Sequence, residues 1–214
     1  MARCDRRREL VNDVRIVRWS PARMRARLDD VIAVYKAAFL DLHEDDPVRA
    51  ARDRAIHARR HFDRHDLHAV VAVTAEEEVV GMTYGLPGEV GQWWHDVVAG
   101  ALPPQDAVHW LTDCMEVVEL HVLPGYQGRG IGRELLRELL RDVPQRTAAL
   151  SALELPGSRA RRLYTSEGFV PLLSHFRFPG SFTEYAVLAK ELPGPAPSDP
   201  CRSTETGQQP AQVP

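Results

Sequence analysis

Gly128, Gly130 and Gly132 alternate in "YQGRGIGRELLRELL", just after a Pro-Gly break and just before an amphipathic run. Successive backbone N–H groups at a helix start form an anion site, and the helix dipole strengthens it. Glycine there lets the backbone approach a bulky pyrophosphate with no Cβ in the way. The stretch therefore suits phosphate binding, or else a tight turn used only for packing. A dinucleotide fingerprint needs G-x-G-x-x-G, and the spacing here is Gly128-x-Gly130-x-Gly132. A P-loop needs Gly-Lys-Ser/Thr, whereas Arg133-Glu134 follows the last glycine.

Two carboxylates stand just upstream. "CMEVVELHVLP" (114–124) is dense in Val and Leu yet carries Glu116 and Glu119. An unpaired carboxylate in such a strand is costly, so each must meet a partner or serve a site. Strand alternation puts 116 and 119 on opposite faces unless a bulge intervenes. The segment 87–113 combines Trp93, Trp94 and Trp110 with His95, Asp96, His109 and Asp113. Aromatic faces beside carboxylates suit an amine-bearing ligand, and the same residues would equally pack as a helical cover. His57, His61 and His65 recur every four residues, a spacing that can hold a metal on a helix. The arginines interleaved in "HARRHFDRHD" indicate a solvated face instead, and no metal is expected.

Positioning these groups requires a mixed α/β order. "VRIVRW" (14–19) alternates as a strand, and a helix over 20–40 opens with Ser20 as N-cap and Pro21 at the first helical position. A second helix is predicted from about Pro47 to His65, followed by a hairpin, 68–74 and 78–86. Residues 87–113 read as less regular. The 114–124 run reads as a central strand buried on both faces, followed by a helix over about 130–142 and a strand over 146–155. A helix over 158–168, with Ser158 as N-cap and Gly168 as its stop, precedes two final strands. The order predicts a flexible lead-in over 1–13, one domain over 14–192 and a disordered Pro-, Ser- and Gln-rich tail over 193–214.

A length of 214 residues, with 44% hydrophobic and 27% charged content, suits one globular domain. The formal net charge of −3 gives no overall pull toward nucleic acid. The basic run "RCDRRR" reads as a solvated terminus. No run of about 18 apolar residues predicts a membrane span. No apolar stretch follows the N-terminal arginines, so no secretory signal is expected. Cys4, Cys114 and Cys201 lie far apart, which fits a reducing cytoplasm.

Gln127-Gly128-Arg129-Gly130-Ile131-Gly132 resembles the Q/R-x-x-G-x-G/A signature of the GNAT superfamily of acetyl-CoA-dependent N-acetyltransferases. "ELHVLP" resembles the end of that family's central strand, and "ARRLYTSEGF" (160–169) resembles its second hallmark, A-x-x-L-Y-x-x-x-G-F. The specific part of the likeness lies within 116–169.

The resemblance implies an α/β (α+β) fold: a central mixed, mostly antiparallel sheet splayed between its fourth and fifth strands and flanked by helices. It implies acetyl-CoA as co-substrate, its pantetheine in the gap against the backbone of Leu120, His121 and Val122. Gln127 and the amides of Gly128 to Gly132 would hold the pyrophosphate, with Arg129 adding charge. Tyr164 matches the tyrosine that protonates the departing thiol. Glu116 lies eleven residues before Gln127, where several members carry a base, and Glu119 is the second candidate. Glu154 and His121 are weaker ones. Many members place asparagine seven residues before the tyrosine, and Gly157 stands there instead.

The activity implied is acetyl transfer to a primary amine of a small molecule by direct attack in a ternary complex. Trp93 and Trp94 are the candidates for holding that acceptor. The alternatives are a protein or peptide N-acetyltransferase and a non-catalytic acyl-CoA sensor. Nucleic-acid and membrane partners are not expected; pairing of sheets into a homodimer is implied by resemblance alone.

Overall fold

The computed structural model describes residues 10–11, 13–39 and 47–194. The expected lead-in and tail fall mostly outside them. Leu10–Val11, within the expected lead-in, forms a short strand β1 paired with β2 (Val14–Trp19). The expected helix over 20–40 is two helices, α1 (Pro21–Ala26) and α2 (Leu28–Phe39). Ser20 caps α1 as predicted, its Oγ accepting from the Arg23 N–H. Neither Gly nor Pro marks the break at Arg27. Its guanidinium pairs with Asp30 and donates to the carbonyl of Glu77 at 3.2 Å, so contacts distant in sequence accompany the turn.

α3 (Pro47–Phe62) leads into the predicted hairpin, β3 (His68–Val73) and β4 (Val79–Pro87). The segment read as less regular is also two helices, α4 (Trp93–Ala101) and α5 (Pro104–Leu111), with Pro104 in the first turn of the second. β5 (Cys114–Val122), a short 3-10 turn (Pro124–Tyr126) and α6 (Ile131–Leu140) carry the glycine stretch. β6 (Thr147–Leu153), α7 (Arg159–Ser166), β7 (Val170–Phe176) and β8 (Tyr185–Glu191) complete the order. Ser158 caps α7, its Oγ accepting from the Arg161 N–H at 3.3 Å.

The strands make one sheet in the order β1-β2-β3-β4-β5-β6-β8-β7. All pairs are antiparallel except β5 with β6. That parallel pairing covers only Cys114↔Thr147, Met115↔Ala148 and Glu116↔Ala149. Beyond Glu116 and Ala149 the two strands part, and each continues with its outer neighbour alone. These are the fourth and fifth strands of the sequence reading, counted without β1.

α6 packs on one face. Ile131, Leu135, Leu136 and Leu139 recur at helical spacing and are each 1% exposed or less. Full burial of such side chains contributes about 1.5–3 kcal/mol each. They join Met115, Val117 and Val122 of β5 and Tyr164 of α7 in one cluster. The opposite face is divided in two. α1, α2 and α3 cover Met82, Tyr84 and Val118, while α4 and α5 cover Cys114, Ala149 and Val187. β5 lies under the seam between those two covers, and it contributes to both.

Candidate active site

The seam carries the charged residues of β5. β4 and β5 slip register between Tyr84↔Glu119 and Gly85↔Val117, so Val118 is the extra residue of a β-bulge. Met115 and Val117 face α6, and Leu120 and Val122 do so again beyond the bulge. Glu116, Glu119 and His121 therefore all look to the other face. Simple alternation would have separated the two carboxylates, and the bulge brings them together. Gly85 permits it: a Cβ there would lie 2.7 Å from the carbonyl oxygen of Glu116, closer than real contacts allow.

Glu116 keeps part of its surface open to the seam while protein surrounds its carboxyl. Burial, then the negative charge of Glu119, push that carboxyl up to about 8, with Arg64 acting the other way. Glu119 is 8% exposed, and its Oε2 lies 2.5 Å from His121 Nε2. Tyr35 of α2 meets the His121 ring edge-on, with centroids 5.2 Å apart. Arg64 is engaged by Asp66 at 2.8 and 2.5 Å and approaches Glu89 at 3.7 Å.

At the far end of β5, Gly128 and Gly130 have φ of +77° and +87°, and a Cβ on either would meet nothing within 4 Å. Gly130 is the N-cap of α6 with no side chain closing it. The first N–H groups of a helix lack intrahelical acceptors, so this end offers donors, a positive dipole and open space together. A pyrophosphate fits that description. Gln127 donates through Nε2 to the Val122 carbonyl at 3.0 Å, and Arg159 reaches its Oε1 at 3.5 Å. The Arg129 guanidinium donates to the Gly125 carbonyl at 2.9 Å and lies over the Tyr126 ring. Gln127 and Arg129 thus brace the loop, and the glycine backbone leaves the room.

Tyr164 is 6% exposed, beside Phe169 on the α6 face. Burial and then the Glu119 charge push its hydroxyl well above the usual tyrosine range, so it stays protonated. Its ring belongs to the cluster that α6 forms with Met115, Val117 and Val122 of β5. Gly157 stands with φ of +69°, and its carbonyl accepts from Arg162 at 2.7 Å. Glu154, one of the weaker base candidates, is committed to Arg161 and to the backbone of His175.

The two tryptophans part company. Trp93 is 60% exposed and stacks on Phe178 at 5.4 Å. Trp94 donates through Nε1 to Ser151 Oγ at 3.3 Å, on β6 just beyond its last pairing with β5. Only Trp94 borders the gap. Of the three histidines, His57 and His65 are exposed as expected, His65 lying past the end of α3. His61 is half-buried, its Nδ1 3.2 Å from the Tyr84 hydroxyl. Sequence spacing alone missed His61 and Tyr84, because their contact joins α3 to β4. Among the described residues no three His, Cys, Asp or Glu side chains cluster as a metal site.

A sheet parted between parallel strands, with a glycine-lined helix start at its gap, is the frame the resemblance leads one to expect of an acyl-CoA-dependent transferase. Residues 28–169 match the Acetyltransferase (GNAT) family, and the chain belongs to that family. It is 32% identical over 201 residues to a GCN5-like protein acetyltransferase of Mycobacterium tuberculosis, covering 81% of this chain and 95% of that protein. An acetyltransferase of Salmonella typhimurium solved with acetyl-CoA superposes with a TM-score of 0.55 at 19% identity, covering 89% of this chain and all of that one. The PaiA N-acetyltransferase of Thermoplasma acidophilum, solved with coenzyme A, gives 0.57 at 13% identity, covering 84% and 99%. The chain is thus an acyltransferase with acetyl-CoA as its co-substrate. No helix among the described residues is long and apolar enough to cross a membrane.

Proposed function

We propose that this chain acetylates a primary amine presented by a protein or peptide, with Glu116 as base and Tyr164 as acid. The observation that carries the acceptor class is the parting of the two tryptophans. Trp93 faces solvent and Trp94 is bonded to β6, so among the described residues no closed aromatic pocket forms. An acidic seam between two helical covers suits the extended cationic side chain of lysine. The relative named as a protein acetyltransferase supports the same class. A small amine, the acceptor the sequence alone favours, is the competing result.

Bound acetyl-CoA supplies the acetyl group as a thioester, with a thiolate as leaving group. The amides of Gly128 to Gly132 would hold its pyrophosphate, and the freed edge of β5 at Leu120–Val122 would meet its pantetheine. Glu116 takes the proton that a lysine ammonium must lose before its nitrogen can attack. A carboxyl near 8 is well matched to that task, being partly ionised at neutral pH and basic enough to hold the proton. As the new C–N bond forms and the C–S bond breaks, Tyr164 donates its proton to the leaving sulfur. Its high-lying hydroxyl ensures the proton is there to give.

Thiol release from acetyl-CoA, measured against lysine-bearing peptides and a panel of polyamines, aminoglycosides, arylamines and amino acids, tests the acceptor. Peptide turnover exceeding that of every small amine is the expected result, and the reverse order would return the assignment to a small molecule. Tyr164→Phe separates an enzyme from a sensor. Its kcat should fall by roughly 10²-fold, with coenzyme A affinity by calorimetry unchanged. An unchanged kcat would remove Tyr164 from the chemistry.

A further inference from the structure

Glu119 and His121 are not needed for the chemistry above, yet the fold goes to some length to place them. The bulge at Val118 turns Glu119 onto the face of Glu116, and Gly85 makes room for it. The Glu119 carboxylate is 2.5 Å from His121 Nε2. An ionised carboxylate can only accept, so the imidazole supplies the hydrogen of this bond. His121 is held edge-on by Tyr35, itself 3% exposed, and Thr83 Oγ1 donates to the Glu119 carbonyl at 2.7 Å. Strands β4 and β5 and helix α2 thus hold Glu119 on the same face of the strand as Glu116, in a partly desolvated seam.

We propose that Glu119 and His121 form a positioning pair for Glu116: His121 holds the Glu119 carboxylate in place, and that fixed negative charge sets the pH range over which Glu116 accepts a proton. The inference rests on Glu116 being the base. Two like charges sharing a site make the second ionisation harder, which is how paired carboxylates divide acid and base roles. Electrostatic coupling between Glu116 and Glu119 agrees in sign with the geometry. Among the described residues, further groups lie near the pair. Arg64, after α3, opposes Glu119, but its guanidinium is shared with Asp66 and Glu89. Tyr84 of β4 is paired in register with Glu119 and bonded to His61 of α3. Tyr35 of α2 packs on His121, and Tyr164 of α7 senses Glu119.

The test is the pH profile of kcat/KM for one peptide acceptor across a set of variants. The acceptor amine titrates identically in each, so any displacement of the acid limb belongs to the enzyme. Glu119→Gln should move that limb to lower pH by about one pH unit. His121→Phe should move it the same way, since a buried carboxyl deprived of its donor favours the neutral form. The double variant should move it no further than Glu119→Gln alone. Glu138→Gln removes a carboxylate that α6 holds on the opposite face of the sheet, bound to Arg18, and should leave the limb in place. A lowered kcat with an unmoved limb in Glu119→Gln, or an equal displacement in Glu138→Gln, would reduce the pair to a structural role and overturn the proposal. Glu116→Gln separates this from failure of the base assignment. If that variant keeps the native rate and limb, the base lies elsewhere and the pair has nothing to position.

Discussion

Replacing Glu116 by Gln is expected to lower kcat by roughly 10²–10⁴-fold while leaving the KM for acetyl-CoA near its native value. The amide keeps the size and much of the hydrogen bonding of the carboxyl but cannot take a proton. In the proposed arrangement acetyl-CoA would be held from the glycine end of β5 and from the gap, away from this side chain, so its binding should survive. Steady-state kinetics with both substrates varied decide the matter, and a variant within a few-fold of native kcat would rule Glu116 out as base.

The same substitution has a second consequence of opposite sign. The folded carboxyl is raised from 4.5 to about 8 by burial and by Glu119. A group raised on folding contributes its stability fully below the unfolded value, and that contribution is lost as pH rises through the folded one. Native stability should therefore decline between roughly pH 4.5 and 8 on account of this group, and Glu116→Gln should lack that decline. Melting temperatures measured across that window should converge at the acid end and favour the variant at the alkaline end. A site residue whose loss stabilises the fold is the usual mark of strain kept for function.

Gly130→Val should raise the KM for acetyl-CoA by at least about tenfold, a loss of about 1.4 kcal/mol in binding. At φ of +87° the native backbone sits in the left-handed region, where a β-branched residue is a genuine outlier. The added side chain would also enter the open space in front of the α6 start, where the proposed pyrophosphate site lies. Gly132→Ala is the contrast. The nearest atoms to its Cβ would be those of the Leu163, Leu120 and Val122 side chains at 3.5 to 3.8 Å, which is ordinary contact. The KM should stay within about twofold of native, well under the tenfold step that 1.4 kcal/mol represents. Equal loss in both variants would mean that the two glycines serve the helix rather than the phosphate.

Much of this molecule was legible along the chain. Motif spacing over residues 116–169 identified the family, because an anion cradle at a helix start demands glycine at particular positions in any context. Local patterns placed β2 to β6 and α6 and α7 within a few residues and called for two further strands after them, and Ser20 and Ser158 were caps as their types required. These are local rules, satisfied by groups a few residues apart. What they could not reach was anything made by partners far apart in sequence. The break at Arg27 is bound to Glu77, His61 was turned from solvent toward Tyr84, and the tryptophans were divided between Phe178 and Ser151. Above all, alternation along β5 predicts Glu116 and Glu119 on opposite faces. Only pairing with β4, where Gly85 lets the two backbones close on each other, inserts the bulge that sets both carboxylates on one seam. The sequence determined the family of this chain; the tertiary structure decided which side chains stand together on β5, because a β-bulge is a property of two strands and not of one.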